Sequence, residues 1–411
     1  MPPRRGAPPT KRAAARTDRG SAAPNRIRRL LLASGLAASA PPLLFSSDLV
    51  AAPSQTSGDA QRAQALAFPR DFGSHPALRT EWWYITGHAT TGSGAARREF
   101  GFQITFFRAR VDATQQMASR FAARQLLFAH AAVTDVQGKR FRHDQRIARA
   151  GFEVASASEQ DTAVRLRDWS LVREGGVYRA HVKGAQFTLD FTFSETQDVL
   201  LQGVGGVSRK GPDAAQASFY YSQPQLAFDG AIELEGQRFA VTGEAARSAS
   251  PNFTPVRGAA WLDHEWSDGL LHPMAAGWDW TGMNLFDGSA LTAFQMRDKS
   301  ANVLWDGGSF RHPGMARGAP PYIFSRGEVV FQPLRSWKSP LTQTSYPVEW
   351  MLRTPADHYI VKAVLDAQEL DSRNSTGAVY WEGLSDLFDS NSRHVGRGYL
   401  ELTGYAKPLV L

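Results

Sequence analysis

The sequence predicts an all-β protein built from two consecutive β units. Apolar residues alternate with period two along many short segments, Gly, Asp and Ser punctuate those segments roughly every ten residues, and no long stretch keeps a helical period. A chain of 411 residues has room for two domains, and 43% hydrophobic against 21% charged residues supplies cores for both. Short strands at this spacing predict sandwiches or barrels.

The elements follow in chain order. Residues 1–52 read as an export signal: a basic region ending in Arg28-Arg29, an apolar stretch over residues 30–45, and small residues at Ala51-Ala52. Gly35, Pro41 and Pro42 break that stretch, so no stable membrane span is expected once the leader is removed. The paired arginines point to the twin-arginine route, with the general secretory route as the alternative. Either places the working chain in the periplasm or outside the cell. Residues 53–67, rich in Ser, Gln and Ala, read as a flexible spacer.

The first β unit is assigned to residues 68–260. Residues 81–90 and 100–106 form a hairpin across Thr91-Gly92-Ser93-Gly94, and residues 125–136 add a strand. Residues 164–172 and 177–182 pair across Glu174-Gly175-Gly176, residues 187–193 show the cleanest alternation, and residues 232–234 turn at Glu235-Gly236 into 239–241. A Ser/Pro-rich loop, residues 246–255, precedes the second unit, assigned to residues 261–411. There residues 278–285 turn at Asp287-Gly288 into 291–296, and strands are expected at 328–331, 348–352, 359–365, 379–382 and 398–405.

Composition narrows the chemistry. The chain has no cysteine, so disulfides, a thiol nucleophile, zinc–cysteine sites, iron–sulfur clusters and a lipoprotein anchor are all excluded. The net charge of +7 belongs to the leader. Residues 1–29 hold nine Lys/Arg against Asp18 alone, leaving 37 basic and 38 acidic residues elsewhere. Nucleic acid is therefore not the expected partner. The glycine-rich stretch Gly203-Val204-Gly205-Gly206, with Arg209 and Lys210 beyond it, is a turn and lacks the phosphate-binding pattern. No nucleophile-elbow motif is present.

The aromatic residues cluster with acids. Glu81-Trp82-Trp83-Tyr84 opens the first unit, Phe219-Tyr220-Tyr221-Ser222 lies within it, and Trp261-Leu262-Asp263-His264-Glu265-Trp266 and Gly277-Trp278-Asp279-Trp280 sit at the junction. Three readings of the junction stand together. It is a buried polar cluster in which Asp263 and His264 satisfy each other, a metal site through His264, Asp268 and His272, or an acid–base site in an apolar cleft. The third has a definite physics. A carboxylic acid desolvated among indole rings holds its proton at neutral pH, and aromatic faces stabilise a cation that forms when the proton is delivered. Asp279, flanked by Trp278 and Trp280, is the leading acid. Strand alternation puts it on the opposite face from both neighbours, so a solvated outward acid is the competing reading. Trp83, Tyr84, Tyr220 and Tyr221 are either core or ligand wall, and His130 reads as a satisfied core histidine.

As a set, these motifs resemble the AttH-like family, which includes the carotenoid 1,2-hydratases. The resemblance rests on Phe68-Pro69-Arg70-Asp71-Phe72-Gly73, Glu81-Trp82-Trp83-Tyr84, Phe219-Tyr220-Tyr221-Ser222, the two junction motifs and Gly398-Tyr399-Leu400-Glu401-Leu402-Thr403-Gly404-Tyr405. It implies two consecutive lipocalin-like β-barrels with an apolar site near their interface. It also implies addition of water to a C=C bond of a hydrophobic terpenoid without cofactor or metal; fungal relatives cyclise polyenes. His264-x-Trp266 matches a pair associated with activity in the hydratase branch, and Asp279 is the counterpart of its aspartate. Catalytic roles therefore fall on Asp279 and His264, and ligand contacts on Trp266, Trp278, Trp280, Trp83, Tyr84, Tyr220 and Tyr221. The partner implied is a hydrophobic small molecule (terpenoid, polyene or lipid). A non-catalytic carrier or chaperone of such molecules in the cell envelope is the alternative, because an export leader departs from the hydratase branch.

Overall fold

Period-two alternation becomes antiparallel strand almost throughout. The computed structural model describes residues 65–243, 259–269, 271–315 and 318–409. The leader, residues 53–64 of the spacer and the loop 246–255 lie outside the described residues.

Among the described residues the first sheet contains β1 (Thr80–Thr91), β2 (Arg98–Arg110), β3 (Gln125–Asp135), β4 (Arg140–Arg149), β5 (Ala155–Ala157), β6 (Ala163–Leu166), β7 (Trp169–Glu174), β8 (Val177–Lys183), β9 (Phe187–Ser194), β10 (Leu200–Leu201), β11 (Val207–Arg209), β12 (Ala217–Leu234), β13 (Gln237–Thr242) and β14 (Ala260–Ser267). Its strands run β4-β3-β2-β1-β13-β12-β9-β8-β7-β6-β5, and β14 also pairs with both β1 and β12. The second sheet contains β15 (Ala275–Leu285), β16 (Ala290–Asp298), β17 (Val303–Arg311), β18 (Tyr322–Phe324), β19 (Val330–Lys338), β20 (Ser345–Arg353), β21 (His358–Ala363), β22 (Glu369–Ser372), β23 (Ala378–Phe388) and β24 (His394–Leu402). Its order is β18-β17-β16-β15-β24-β23-β21-β20-β19, with β22 on β23. These are two consecutive β units, as the alternation and the turn spacing predict, and their lipocalin-like form is the one the family resemblance implies.

Two expectations shift. The boundary at residues 260/261 moves, because β14 pairs with β1 from Thr80↔Ser267 to Gly87↔Ala260 and so belongs to the first sheet. The sheets divide between Ser267 and Ala275. The strand expected over residues 164–172 is two strands, β6 and β7, paired through Leu166↔Trp169. Arg167 takes a left-handed backbone (φ 57°) to make that tight turn, a conformation that residue type does not advertise. The strand β4, RFRHDQRIAR, was not expected either, since its charge hides any apolar face.

Each sheet wraps its own core. Odd positions of β1 and β3 and even positions of β2 and β14 point into the first, with Trp83, Phe102, Phe106 and Trp266 all buried. Met283, Leu291, Trp350, Trp381 and Leu400 fill the second. The alternate positions meet across a seam where Tyr84 and Trp261 of the first sheet pack with Trp280, Phe294, Leu384 and Tyr399 of the second. All eight residues of β14 are buried, because one face looks into the first core and the other into the seam. The two sheets approach closely at Gly101, where an added Cβ would lie 2.8 Å from the Tyr399 hydroxyl and 2.9 Å from Leu384 Cβ. Gly101→Val wedges that contact, so a loss of about 1–3 kcal/mol is expected in urea unfolding.

Candidate active site

The pleat decides which of the clustered aromatics and acids share a space. A cavity of about 340 Å³ lies along the seam. Its walls come from alternate positions: Trp82 and Tyr84 on β1, Phe128 and His130 on β3, Tyr220 on β12, Asp263 and Glu265 on β14, Trp278 and Trp280 on β15, Tyr380 and Glu382 on β23, and Glu401 on β24.

Of the nine residues picked out from sequence, Tyr84, Tyr220, Trp278 and Trp280 line this cavity. Four others gather on the inner face of the first sheet. His264 Nε2 lies 3.0 Å from Glu81 Oε1 and its Nδ1 3.1 Å from the Tyr221 hydroxyl. Trp83 stacks on His264 at 4.7 Å, and Trp266 stacks on His75 at 3.9 Å. Asp279 faces the interior of the second sheet. It accepts hydrogen bonds from Gln295 Nε2 (2.7 Å), Arg297 Nε (3.2 Å) and the Tyr405 hydroxyl (2.9 Å). Burial raises its pKa and the Arg297 charge opposes that rise. The structure thus separates Asp279 from Trp278 and Trp280, since successive strand residues point to opposite faces.

The junction readings resolve in the same way. Asp263 and His264 are not partners. Asp263 Oδ1 accepts from Ser222 Oγ (2.5 Å) and Trp261 Nε1 (2.8 Å), on the face opposite His264. Asp268 accepts from the Arg79 backbone N–H, and His272 Nδ1 accepts from the Met274 backbone N–H, so neither joins His264. Among the described residues one group, His75, Glu81 and His264, brings three potential metal ligands together. Glu81 is already saturated there. Its carboxylate takes Ser74 Oγ (2.7 Å), Arg108 Nε (2.7 Å), the His75 backbone N–H (3.0 Å) and both imidazoles. Those hydrogen bonds overcome burial and hold the Glu81 carboxyl far below the usual range. These contacts make an ion-pair and hydrogen-bond network centred on Glu81.

The cavity has a different electrostatic character. Glu265 is paired with Lys210 (3.1 Å), whose ammonium lies 4.2 Å from the Phe294 ring centroid. Asp263, Glu382 and Glu401 form no ion pair among the described residues. Burial pushes Asp263 up to about 7, against the opposing hydrogen bonds of Ser222 and Trp261. Burial likewise pushes Glu401 up to about 7, although Trp278 Nε1 donates to it at 3.0 Å. Glu382 is raised further, by burial and then by the charge of Glu401. The two stand directly opposite each other on β23 and β24, an arrangement unfavourable for like charges. One of them therefore holds a proton, and Glu382 is the better candidate. Glu382 is buried beside the Tyr84 and Tyr380 hydroxyls, which interact with its carboxyl group.

A chain of hydrogen bonds borders the cavity beside Glu382. The Tyr380 hydroxyl lies 2.9 Å from His130 Nδ1, and His130 Nε2 lies 2.8 Å from Ser375 Oγ. Burial depresses the His130 pKa to about 3, so the ring is neutral. From sequence His130 reads as a core residue, and neither Glu382 nor Glu401 is singled out. The signal was available: Asp263-x-Glu265, Tyr380-x-Glu382 and Tyr399-x-Glu401 each put two such groups on one strand face.

The AttH-like family model matches residues 59–405. The crystal structure of a protein from Nitrosomonas europaea, provisionally assigned as AttH, superposes with a TM-score of 0.73 at 43% identity, covering 84% of this chain and 98% of that one. Kievitone hydratase from Nectria haematococca shares the fold with a TM-score of 0.61 at 13% identity, covering 84% and 94%. No sequence match was found among proteins of curated function.

Proposed function

The chain belongs to the AttH-like family, and from that premise we propose that it adds water to an unactivated C=C bond of a hydrophobic substrate held in the seam cavity. The observation that carries this reading is the set of three carboxyl groups without counter-ions, Asp263, Glu382 and Glu401, among the rings of Trp82, Trp278 and Trp280. Glu382 delivers its proton to the less substituted alkene carbon, and the π electrons form the new C–H bond. The carbocation left on the neighbouring carbon is stabilised by the indole faces and by the nearby carboxylates. Water attacks that carbon and forms the C–O bond. Its surplus proton passes to Glu401 or Asp263, and from Glu401 it returns to Glu382 across the strand pair. The sum is alkene plus water to alcohol, with no electrons exchanged.

The substrate class is an acyclic terpenoid or the end of a carotenoid. A volume of about 340 Å³ is at the lower end for small-molecule pockets, so it takes one end of a long chain. The leader read in residues 1–52 has this chemistry occurring outside the cytoplasm. In this reading Asp279 and His264 are structural residues that do not touch the substrate. Asp279 fixes Arg297 within the second sheet, and His264 braces Glu81 behind the cavity wall.

The test is turnover of a panel of acyclic terpenoid alkenes in ¹⁸O-labelled water, followed by mass spectrometry. Products heavier by one labelled water are expected, with quenching of tryptophan fluorescence by the same compounds. Quenching without product identifies a carrier, and neither signal refutes a ligand site in the seam.

A further inference from the structure

The first sheet carries an exposed patch that the cavity does not use. Two segments build it, the connection between β2 and β3 and the turn that follows β4. Phe121 is 64% exposed and Phe152 44%, and their rings stack with centroids 5.5 Å apart. Met117 and Ile147, also exposed, extend the apolar surface. Two stacked rings open to water, with further exposed apolar side chains on the same two segments, mark an interaction surface.

The charge around these rings is of one sign. The Arg149 guanidinium lies 4.1 Å from the Phe152 centroid, and that of Arg120 lies 5.7 Å from Phe121. Arg149 Nη1 donates to the Phe121 carbonyl (2.5 Å) and Arg124 Nη2 to the Met117 carbonyl (2.9 Å), which holds the loop in place. None of Arg120, Arg124 and Arg149 has an acidic partner among the described residues. Of the acids in these segments, Asp112 is taken by Arg110 at 2.7 Å, which leaves Glu153. The patch therefore carries surplus positive charge on a working chain that is otherwise near neutral.

We propose that this patch docks the protein on an anionic lipid bilayer. Aromatic rings flanked by guanidinium groups match the bilayer interface, where rings settle at headgroup depth and arginines meet phosphates. Single-stranded nucleic acid also uses exposed rings and arginines. Here Phe121 and Phe152 stack on each other and leave no gap for a base, and Met117 and Ile147 offer only aliphatic surface. The position suits the partner. Ala109 and Phe128, at the same end of the β2–β3 hairpin as the patch, line the seam cavity, so docking brings that end of the cavity towards a reservoir of hydrophobic molecules. The inference stands whether or not the cavity is catalytic.

The experiment is hydrogen exchange of the full chain with vesicles of phosphatidylcholine alone, or with a quarter phosphatidylglycerol, or with a single-stranded oligonucleotide. The leader is basic and offers anionic vesicles a second point of attraction, so the local readout decides. With phosphatidylglycerol, amides of residues 115–124 and 150–154 are expected to exchange several-fold more slowly. That protection is lost in Phe121→Ser/Phe152→Ser and in Arg120→Glu/Arg149→Glu, whose urea unfolding matches the parent. The proposal is overturned by unprotected segments, by protection that survives the substitutions, or by equal protection from the oligonucleotide.

Discussion

Glu382→Gln is expected to lower turnover by about 10³-fold while ligand quenching of tryptophan fluorescence is retained. Removing a positioned proton donor typically costs about 10²–10⁴-fold. Gln has nearly the shape of a protonated Glu and keeps a carbonyl and a donor, so the cavity is preserved; its amide cannot supply a proton. The pH profile offers an independent check. Hydration needs Glu382 protonated and a carboxylate ready to receive the proton of water. With Asp263 and Glu401 near 7, kcat/KM rises through that region and falls only where Glu382 ionises, well above the usual carboxylate range. Asp279→Asn distinguishes the two candidate acids. Asp279 faces away from the cavity, so its folded variant keeps turnover even though Arg297 loses its partner. Loss of chemistry in Asp279→Asn with full activity in Glu382→Gln reverses the assignment.

How much of this was legible depends on what a strand buries. Phe187–Ser194 alternates buried and half-exposed residues along its length, so its period is plain in the sequence. In β14 and β15 both faces are covered, one by a barrel core and one by the seam, and alternation of polarity no longer reveals direction. The motif Trp261-Leu262-Asp263-His264-Glu265-Trp266 therefore announced a site without saying which face it used. Choosing His264 and Trp266 selected the face turned towards Glu81; Asp263 and Glu265 look into the cavity. The difficulty seen for Asp279, that its flanking tryptophans must point away from it, is what the structure displays. Glu382 was hidden for another reason. Its partner Glu401 is close in space through β23–β24 pairing, and register between strands is not written in either strand alone.

The same three carboxyl groups make stability depend on pH in a direction opposite to that of the buried histidines. Asp263, 3% exposed, has its pKa raised from 3.8 to about 7 by burial. Between those values the folded chain holds the proton and the unfolded chain does not, so stability falls as pH rises and is lowest above 7. Holding the charge at pH 8 costs up to about 4 kcal/mol, from about 1.4 kcal/mol for each tenfold change in proton affinity. Asp263→Asn removes that cost, and its amide oxygen still accepts from Ser222 and Trp261. The variant is expected to be more stable than the parent at pH 8 in urea unfolding, with the difference vanishing near pH 4. Difference measurements are needed because His264 and His130, depressed by burial to about 4 and about 3, act in the opposite sense. Each is neutral in the folded chain and charged in the unfolded chain below about 6.5, so each loses stability as pH falls, and these contributions cancel between parent and variant. An Asn variant less stable at every pH makes Asp263 an ordinary structural carboxylate. A variant that is stabilised at pH 8 yet slower in turnover shows that the seam keeps a destabilising acid because the reaction uses it.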